Sequence, residues 1–430
     1  MMPFVVVLLV LLAGSALSLA FRRFPVSASW LGTGSVVAGS VLGLAFAVRI
    51  LWMGASLSYS VSWPLPYATL SLGVDPMSAF FMLPLFILSP LAALYGAAYL
   101  RHGAHAVRCG EAGFFLNLLV ASMALVLAAR NTVLFLVAWE VMALSSFAMV
   151  VFDREDESAR DAGWSYLVAS QAGTAFLFFL FLLMGRGAMG FDDFAAPDSP
   201  RRAALLFLLA VVGFGTKAGF MPLHIWLPRA HPAAPSHISA LMSAVMIKMG
   251  IYGLVRTLMI LGPLPVWCAY VMIGLGISSG VLGVMFALAQ QDIKKVLAYS
   301  SVENIGIIAL GLGLGMLGRA IDQPALAFLG FAAALLHVLN HALFKGLLFF
   351  GAGSIAHVTH TRDLDVLGGL SRRMPWTAAT FLAGSAAICG LPVLNGLSAS
   401  SFFISVRFAR WPVRAPARHL RPSAYCWGSH

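Results

Sequence analysis

Lysine is the residue this chain uses most selectively. Its 430 residues include five lysines against 22 arginines. Lys217, Lys248 and Lys345 fall inside long apolar runs, while Lys294 and Lys295 read as part of a connection. An ammonium is costly in hydrocarbon, and a desolvated lysine can shed its proton where arginine keeps its own. Three such amines point to proton transfer, against the competing reading of snorkelling or static ion pairing. Glu140 directly follows Trp139 in another apolar run and needs a partner or a proton. Lys217 is the expected partner: a carboxylate nearby would hold the proton on the amine, and moving it away would release it. An inert structural pair is the alternative.

His337, His341 and Lys345 are spaced i, i+4, i+8, which on a helix covers about 80° of arc and about 12 Å of rise. Neutral imidazole both accepts and donates, so a His-His-Lys stripe can relay protons. The His-x-x-x-His spacing without a third ligand is a weak metal set, and no metal is assigned. Lys217 is followed by a helix break at Met221-Pro222, flanked by His224, His231 and His237. These histidines are placed at one cytoplasmic opening, with His224, His231 and Glu303 as candidate proton-uptake groups. Glu303 reads equally as a headgroup-level charge. Asp75-Pro76 reads as an acidic helix cap.

The elements that hold these groups are set by composition. The chain is 60% apolar and 10% charged, with mean hydropathy +0.90. Apolar runs long enough to span a bilayer recur throughout, so the class is all-α: a polytopic membrane helix bundle. The runs are continuous rather than alternating with period 2, which excludes an outer-membrane barrel. The net charge of +11 lies in short connections, so it reads as a topology signal rather than a nucleic-acid surface. The cysteines, Cys109, Cys268, Cys389 and Cys426, form no Cys-x-x-Cys pair, and Gly313-x-Gly315-x-x-Gly318 follows no strand. No cofactor site is expected in this chain.

Eleven full membrane helices and a disrupted twelfth are expected. The runs are Met1–Phe21, Trp30–Gly54, Asp75–Leu100, Ala112–Arg130, Thr132–Phe152, Gly163–Gly185, the broken Ala203–Leu227, Ser236–Leu261, Val266–Ala289, Val296–Gly315, Ala325–Ile355 and the failing Trp376–Ile404. Odd-numbered connections carry twelve Lys and Arg and even-numbered ones seven, which predicts odd connections in the cytoplasm and the N-terminus outside. The divisions are residues 1–111, three N-terminal helices; 112–396, the core; and 397–430, an aberrant basic tail.

Three stretches then stand together: Lys217-Ala-Gly-Phe-Met-Pro-Leu-His-Ile-Trp-Leu-Pro-Arg-Ala-His, Gln290-Gln-Asp-Ile-Lys-Lys-Val-Leu-Ala-Tyr-Ser-Ser and Asn340-His-Ala-Leu-Phe-Lys-Gly-Leu-Leu-Phe. In this order and spacing, over residues 70–397, the chain resembles the antiporter-like membrane subunits of proton-pumping NADH:quinone oxidoreductase, of multisubunit cation/proton antiporters and of membrane-bound hydrogenases. Val302-Glu-Asn-Ile-Gly-Ile-Ile leans to the hydrogenase-4 component B and formate hydrogenlyase branch. The resemblance implies about fourteen helices in two inverted five-helix repeats, each with a broken helix. It implies a midplane axis through the residues matching Glu140, Lys217, Lys248 and Lys345, joined by His337 and His341. It also implies membrane and peripheral partner subunits that carry the redox centres, in a bacterial inner membrane.

The chain departs from that pattern after Gly390-Leu-Pro. The family carries an ionisable Glu or Lys within a stretch like Phe-Val-Ser-Glu-Phe; here the residues are Leu397-Ser-Ala-Ser-Ser-Phe. The codons TCA-GCG-AGT-TCN for Ser398–Ser401, read one base back after a G, give Val-Ser-Glu-Phe. The expectation is that residues from about 397 are out of frame; a basic tail on anionic lipid is the alternative. The functional expectation is a proton- or cation-translocating subunit of a redox-driven complex without its own redox centre. Its alternatives are a structural or inactive subunit, and a subunit of a sodium/proton antiporter.

Overall fold

A computed structural model of the protein describes residues 1–62, 69–100 and 108–391. Most of the expected second broken helix and the whole tail, residues 397–430, lie outside the described residues. In order, the elements begin with α1 (Met2–Ala20), α2 (Pro25–Met53), β1 (Leu57–Ser62), β2 (Thr69–Val74) and α3 (Pro76–Tyr99). Next come α4 (Cys109–Ala128), α5 (Thr132–Val150), α6 (Glu157–Gly185), α7 (Pro200–Ala218), α8 (Leu227–Ala233) and α9 (Ser236–Leu241). A π-helical turn at Met242–Met246 leads into α10 (Ile247–Leu261), followed by α11 (Val266–Leu288), α12 (Ile293–Ala320), α13 (Pro324–Thr359), α14 (Leu370–Arg373) and α15 (Pro375–Ile388).

Ten helical segments among the described residues are long and apolar enough to cross a membrane, counting α9 to α10 as one. With the broken helix α7–α8 they make the eleven full spans expected. The helices start where the sequence supplies caps. Asp75, Asn131, Asp156, Ser199 and Asp292 each accept a hydrogen bond from a first-turn backbone N–H through their side chains, and proline opens α2, α3, α7, α13 and α15. Residues 236–254 of the Ser236–Leu261 segment are buried on every side, as a central helix must be. α7 and α13 pack against it, α12 against α11 and α13. The Gly313-x-Gly315-x-x-Gly318 run lies inside α12, facing Ile273 of α11 and Phe331 and Ala327 of α13, which is helix packing.

One addition to the helical plan is the antiparallel hairpin β1–β2, in register from Leu57 opposite Val74 to Ser62 opposite Thr69. It bridges to α4 through Leu72 and Ala129. A second correction concerns Lys294 and Lys295. They are not in a connection but in the first turn of α12, and Lys294 is buried. The Asp292 cap winds the helix over them, since its carboxylate accepts from both of their backbone N–H groups, at 2.8 and 3.3 Å.

On the face of the even-numbered connections, Asp75 does more than cap α3. Its carboxylate accepts from Arg256 on α10 at 2.5 and 2.9 Å and pairs with Arg130 at 3.0 Å. Arg256 also donates to Ser78 Oγ at 3.0 Å and Tyr252 Oη at 3.1 Å, and Tyr252 Oη donates to the Leu127 carbonyl at 2.9 Å. This cluster ties α3, the α4 C-terminus and α10 together. Burial alone would raise the Asp75 carboxyl, but the Arg256 hydrogen bonds and charge, the Ser78 N–H and Arg130 hold it well below the usual carboxylate range.

Two outcomes follow. Asp75→Ala leaves two arginines facing each other in a mostly buried site and is expected to lower stability by about 3 kcal/mol or more, read as thermal unfolding in detergent; Asp153→Ala, on an exposed loop, shifts it little. Because the folded carboxyl is depressed, its contribution is complete above the ordinary carboxylate value and is lost only as pH falls toward the depressed one, so an acid titration of Asp75→Asn converges with wild type only at very low pH. Second, a Cβ on Gly250 would lie 2.5 Å from the Phe214 carbonyl of α7. Gly250→Ala therefore forces α10 off the broken helix and costs about 1–3 kcal/mol in the same assay.

Candidate functional site

The break between α7 and α8 is where the first amine sits. α7 ends at Gly219, which adopts φ +85°, a conformation disfavoured for side chains with a Cβ. The chain then runs through the cis Met221-Pro222 bond before α8 begins at Leu227. Backbone groups freed at the break find partners. Trp226 Nε1 donates to the Thr216 carbonyl at 2.8 Å, and Met221 N–H donates to Ser279 Oγ on α11 at 3.0 Å. Without such partners a broken helix would not persist in hydrocarbon.

Lys217, one residue before the end of α7, is buried. Its Nζ donates to Tyr166 Oη at 2.7 Å and Ser170 Oγ at 3.1 Å, both on α6. It lies 4.9 Å from the Tyr166 ring centroid and 5.8 Å from that of Trp139, a cation–π cage. Tyr166 Oη is also 2.5 Å from Ser146 Oγ and contacts Met246 Sδ in the π-turn at 3.8 Å. The expected Glu140–Lys217 ion pair is not formed: no Lys217 contact to a carboxylate falls within 4 Å among the described residues. Glu140 turns instead to the edge of the bundle, where Oε2 accepts from Gln171 Nε2 at 2.7 Å and Oε1 is buried without a hydrogen-bond partner. The reason is azimuth. α5 aims Trp139, not Glu140, at Lys217.

Lys248 occupies the first turn of α10, just past the π-turn. A π-turn frees a carbonyl from the helical ladder, and here the freed group is used: Lys248 Nζ donates to the Ser243 carbonyl at 2.5 Å. Ser243 Oγ is 2.7 Å from Ser301 Oγ on α12, and Ser301 Oγ donates to the Leu297 carbonyl at 2.8 Å. The same carbonyl accepts from Lys345 Nζ at 2.9 Å, and Lys345 also donates to Ser300 Oγ at 2.5 Å. Ser243, through its carbonyl on one side and its hydroxyl on the other, thus links Lys248 to Ser301, Leu297 and Lys345 across three helices.

The histidine stripe runs beside it. On α13, His337 and His341 stack with ring centroids 6.2 Å apart and planes 6° from parallel. His337 Nε2 donates to Asn304 Oδ1 at 2.9 Å, and Asn304 Nδ2 donates to the Ser300 carbonyl at 2.7 Å. His341 is fully buried, with both ring nitrogens free of protein partners. Lys248 lies within electrostatic range of both rings.

The expected uptake groups and His237 have these surroundings. His224 is half-buried, 6.2 Å from the Tyr299 ring. His231 is buried between Trp226 and Phe349, at 6.5 and 5.2 Å, with both ring nitrogens free of protein partners. His237 packs on Tyr99 at 6.3 Å. Glu303 is half-buried on α12, its backbone against Gly283 of α11, and within electrostatic range of Lys345 without contact. Sequence reasoning missed Tyr166, Ser243, Ser300, Ser301 and Lys294. A tyrosine or serine in an apolar helix carries no signal that separates relay from packing; Lys294 carried one, as one of only five lysines.

Residues 129–413 match the family described as "NADH:quinone oxidoreductase/Mrp antiporter, TM", and the chain belongs to that family. It is 44% identical over 392 residues to Hydrogenase-4 component B of Escherichia coli K12, covering 89% of this chain and 57% of that protein. It is 33% identical over 372 residues to Formate hydrogenlyase subunit 3 of the same organism, covering 84% and 59%. The chain therefore spans a little over half the length of these curated relatives. Among solved structures it is similar to a chain of the Mrp complex from Dietzia sp. DQ12-45-1b, with a TM-score of 0.81 at 28% identity, covering 94% of this chain and 43% of that one.

Proposed function

We propose that this member of the NADH:quinone oxidoreductase/Mrp antiporter family moves protons through a buried lysine–histidine axis, as a membrane subunit of a hydrogenase-type redox complex. The observation that carries the reading is a division of labour between the two basic residues. Among the described residues, every ion pair within 4 Å uses arginine. The buried lysines Lys217, Lys248 and Lys345 bond neutral oxygens instead. A lysine held by a carboxylate strands an anion when it loses its proton; a lysine held by a hydroxyl or carbonyl strands nothing. Neutral acceptors are what a reversibly protonated amine needs.

In this reading Lys217 holds a proton against Tyr166 and Ser170 and passes it, by way of the Tyr166 hydroxyl and water, to Lys248. The His337–His341 pair and the hydroxyls of Ser243, Ser301 and Ser300, joined by water, carry it on to Lys345, while the Ser243 and Leu297 carbonyls only hold the amines in place. Arginine, which keeps its proton, is used where charge must stay fixed, as at Asp75. The N-terminus lies outside in this proposal, as the arginine and lysine bias of the connections indicates. The complex-type assignment rests on the similarity to the two hydrogenase-related proteins; partner subunits supply the electron-transfer chemistry.

Membrane vesicles from the source organism, energised in parallel with hydrogen, formate and NADH, test this by dye quenching. Lys217→Ala is expected to abolish acidification while the assembled complex and its electron transfer persist; full acidification would refute the reading. Sodium-dependent rather than proton-dependent flux in the wild type would favour the antiporter alternative. Tyr166→Phe removes the acceptor closest to Lys217 and is expected to slow proton flux by about tenfold or more with unchanged assembly, measured in the same vesicles.

A further inference from the structure

Five odd-numbered connections converge on one cavity of about 660 Å3. It is lined from the α3 end by Tyr99, from the α5–α6 connection by Asp153, Asp156 and Asp161, from the α8–α9 region by Arg229 and Ala234, from the start of α12 by Asp292, Lys294 and Lys295, and from beyond α13 by Arg362. Carboxylates and cations balance, so this is a polar vestibule and not a cation well. The Ser158 hydroxyl and backbone N–H groups hold the Asp156 carboxyl below its ordinary value against a small opposing effect of burial, so that wall stays ionised. None of His224, His231 or His237 lines the vestibule.

Lys294 stands apart from the other charged groups there, which are exposed or half-exposed: it lines the cavity yet is only 4% exposed. Its Nζ donates to the Ala234 carbonyl at 2.9 Å, at the junction of α8 and α9. That junction is three residues from His231, and the charge on Lys294 reaches both His231 and His237. His231 is fully buried, and its two ring nitrogens have no protein partner although Lys248 and Lys345 are within electrostatic range. Lys294 thus lines the cavity while standing within electrostatic range of a buried, unpartnered imidazole that is itself within range of Lys248 and Lys345.

We propose that Lys294 is the proton-uptake relay of the axis, passing protons from the vestibule to His231. This rests on the proton-transport reading given above. In the transfer, one N–H bond of the Lys294 ammonium breaks and its proton forms a bond to a ring nitrogen of His231, directly after the side chain leaves Ala234 or through one water. Lys294 is left as a neutral amine and His231 as imidazolium. A hydronium in the vestibule then reprotonates Lys294, and His231 gives its proton to the axis.

Two variants in the full complex test it in energised vesicles, with flux expressed per assembled complex. Lys294→Arg keeps the charge and the donor to Ala234 but cannot release its proton, and is expected to reduce proton flux at least about tenfold. Lys294→His can release its proton and is expected to recover a substantial part of that loss. Flux in Lys294→Arg equal to wild type overturns the proposal, and so does equal impairment of the two variants, which marks a purely structural role. Lys217→Ala is run alongside. Flux lost there but kept in Lys294→Arg overturns this proposal alone; flux kept in both overturns the transport reading and this proposal with it.

Discussion

The buried amine on a neutral oxygen is the interaction on which the interior depends. A lysine amine inside a bilayer must have acceptors, and a regular helix offers few because its carbonyls already accept from the helical ladder. The chain creates them in three ways. At the α8–α9 junction the Ala234 carbonyl is left for Lys294. The π-turn leaves the Ser243 carbonyl for Lys248. On α12 the Leu297 carbonyl, which also accepts from Ser301 Oγ, takes a further bond from Lys345. Lys217, at the break itself, uses hydroxyls of α6. Irregular backbone thus accompanies Lys217, Lys248 and Lys294, while Lys345 shares a carbonyl of a regular helix.

Arginine does the opposite work. The Asp75–Arg130–Arg256 cluster pins α10 at the even-numbered face, eight residues along the same helix from Lys248. With α10 fixed at one end by permanent charges and at the other by the close approach of Gly250 to α7, the height of Lys248 is set. Rigid supports of this kind let a relay act through small side-chain movements.

Much of this was legible from residue type and spacing. Lys217, Lys248 and Lys345 are exceptional because lysine is scarce and sits in apolar runs, and the His337–His341–Lys345 face follows from helical period alone. What spacing cannot give is azimuth between helices. Glu140 and Lys217 stand on different helices, and only packing decides that Trp139 faces the amine while Glu140 faces Gln171. Lys294 was hidden for a related reason. Near a helix start it looks solvent-facing, and its burial is created by Ala234, sixty residues away in sequence. The hairpin had a signal that was passed over: Leu57, Tyr59 and Val61 alternate with serines in strict period 2.

The central claim is that Lys345 must give up its proton, not merely hold a charge. Proton flux and electron transfer measured together in vesicles carrying Lys345→Arg test it most directly. Arginine preserves the charge and can still donate toward the Leu297 carbonyl and Ser300, but it keeps its proton. The account predicts that electron transfer and assembly continue while proton flux is lost. Proton flux at the wild-type rate in that variant would contradict it.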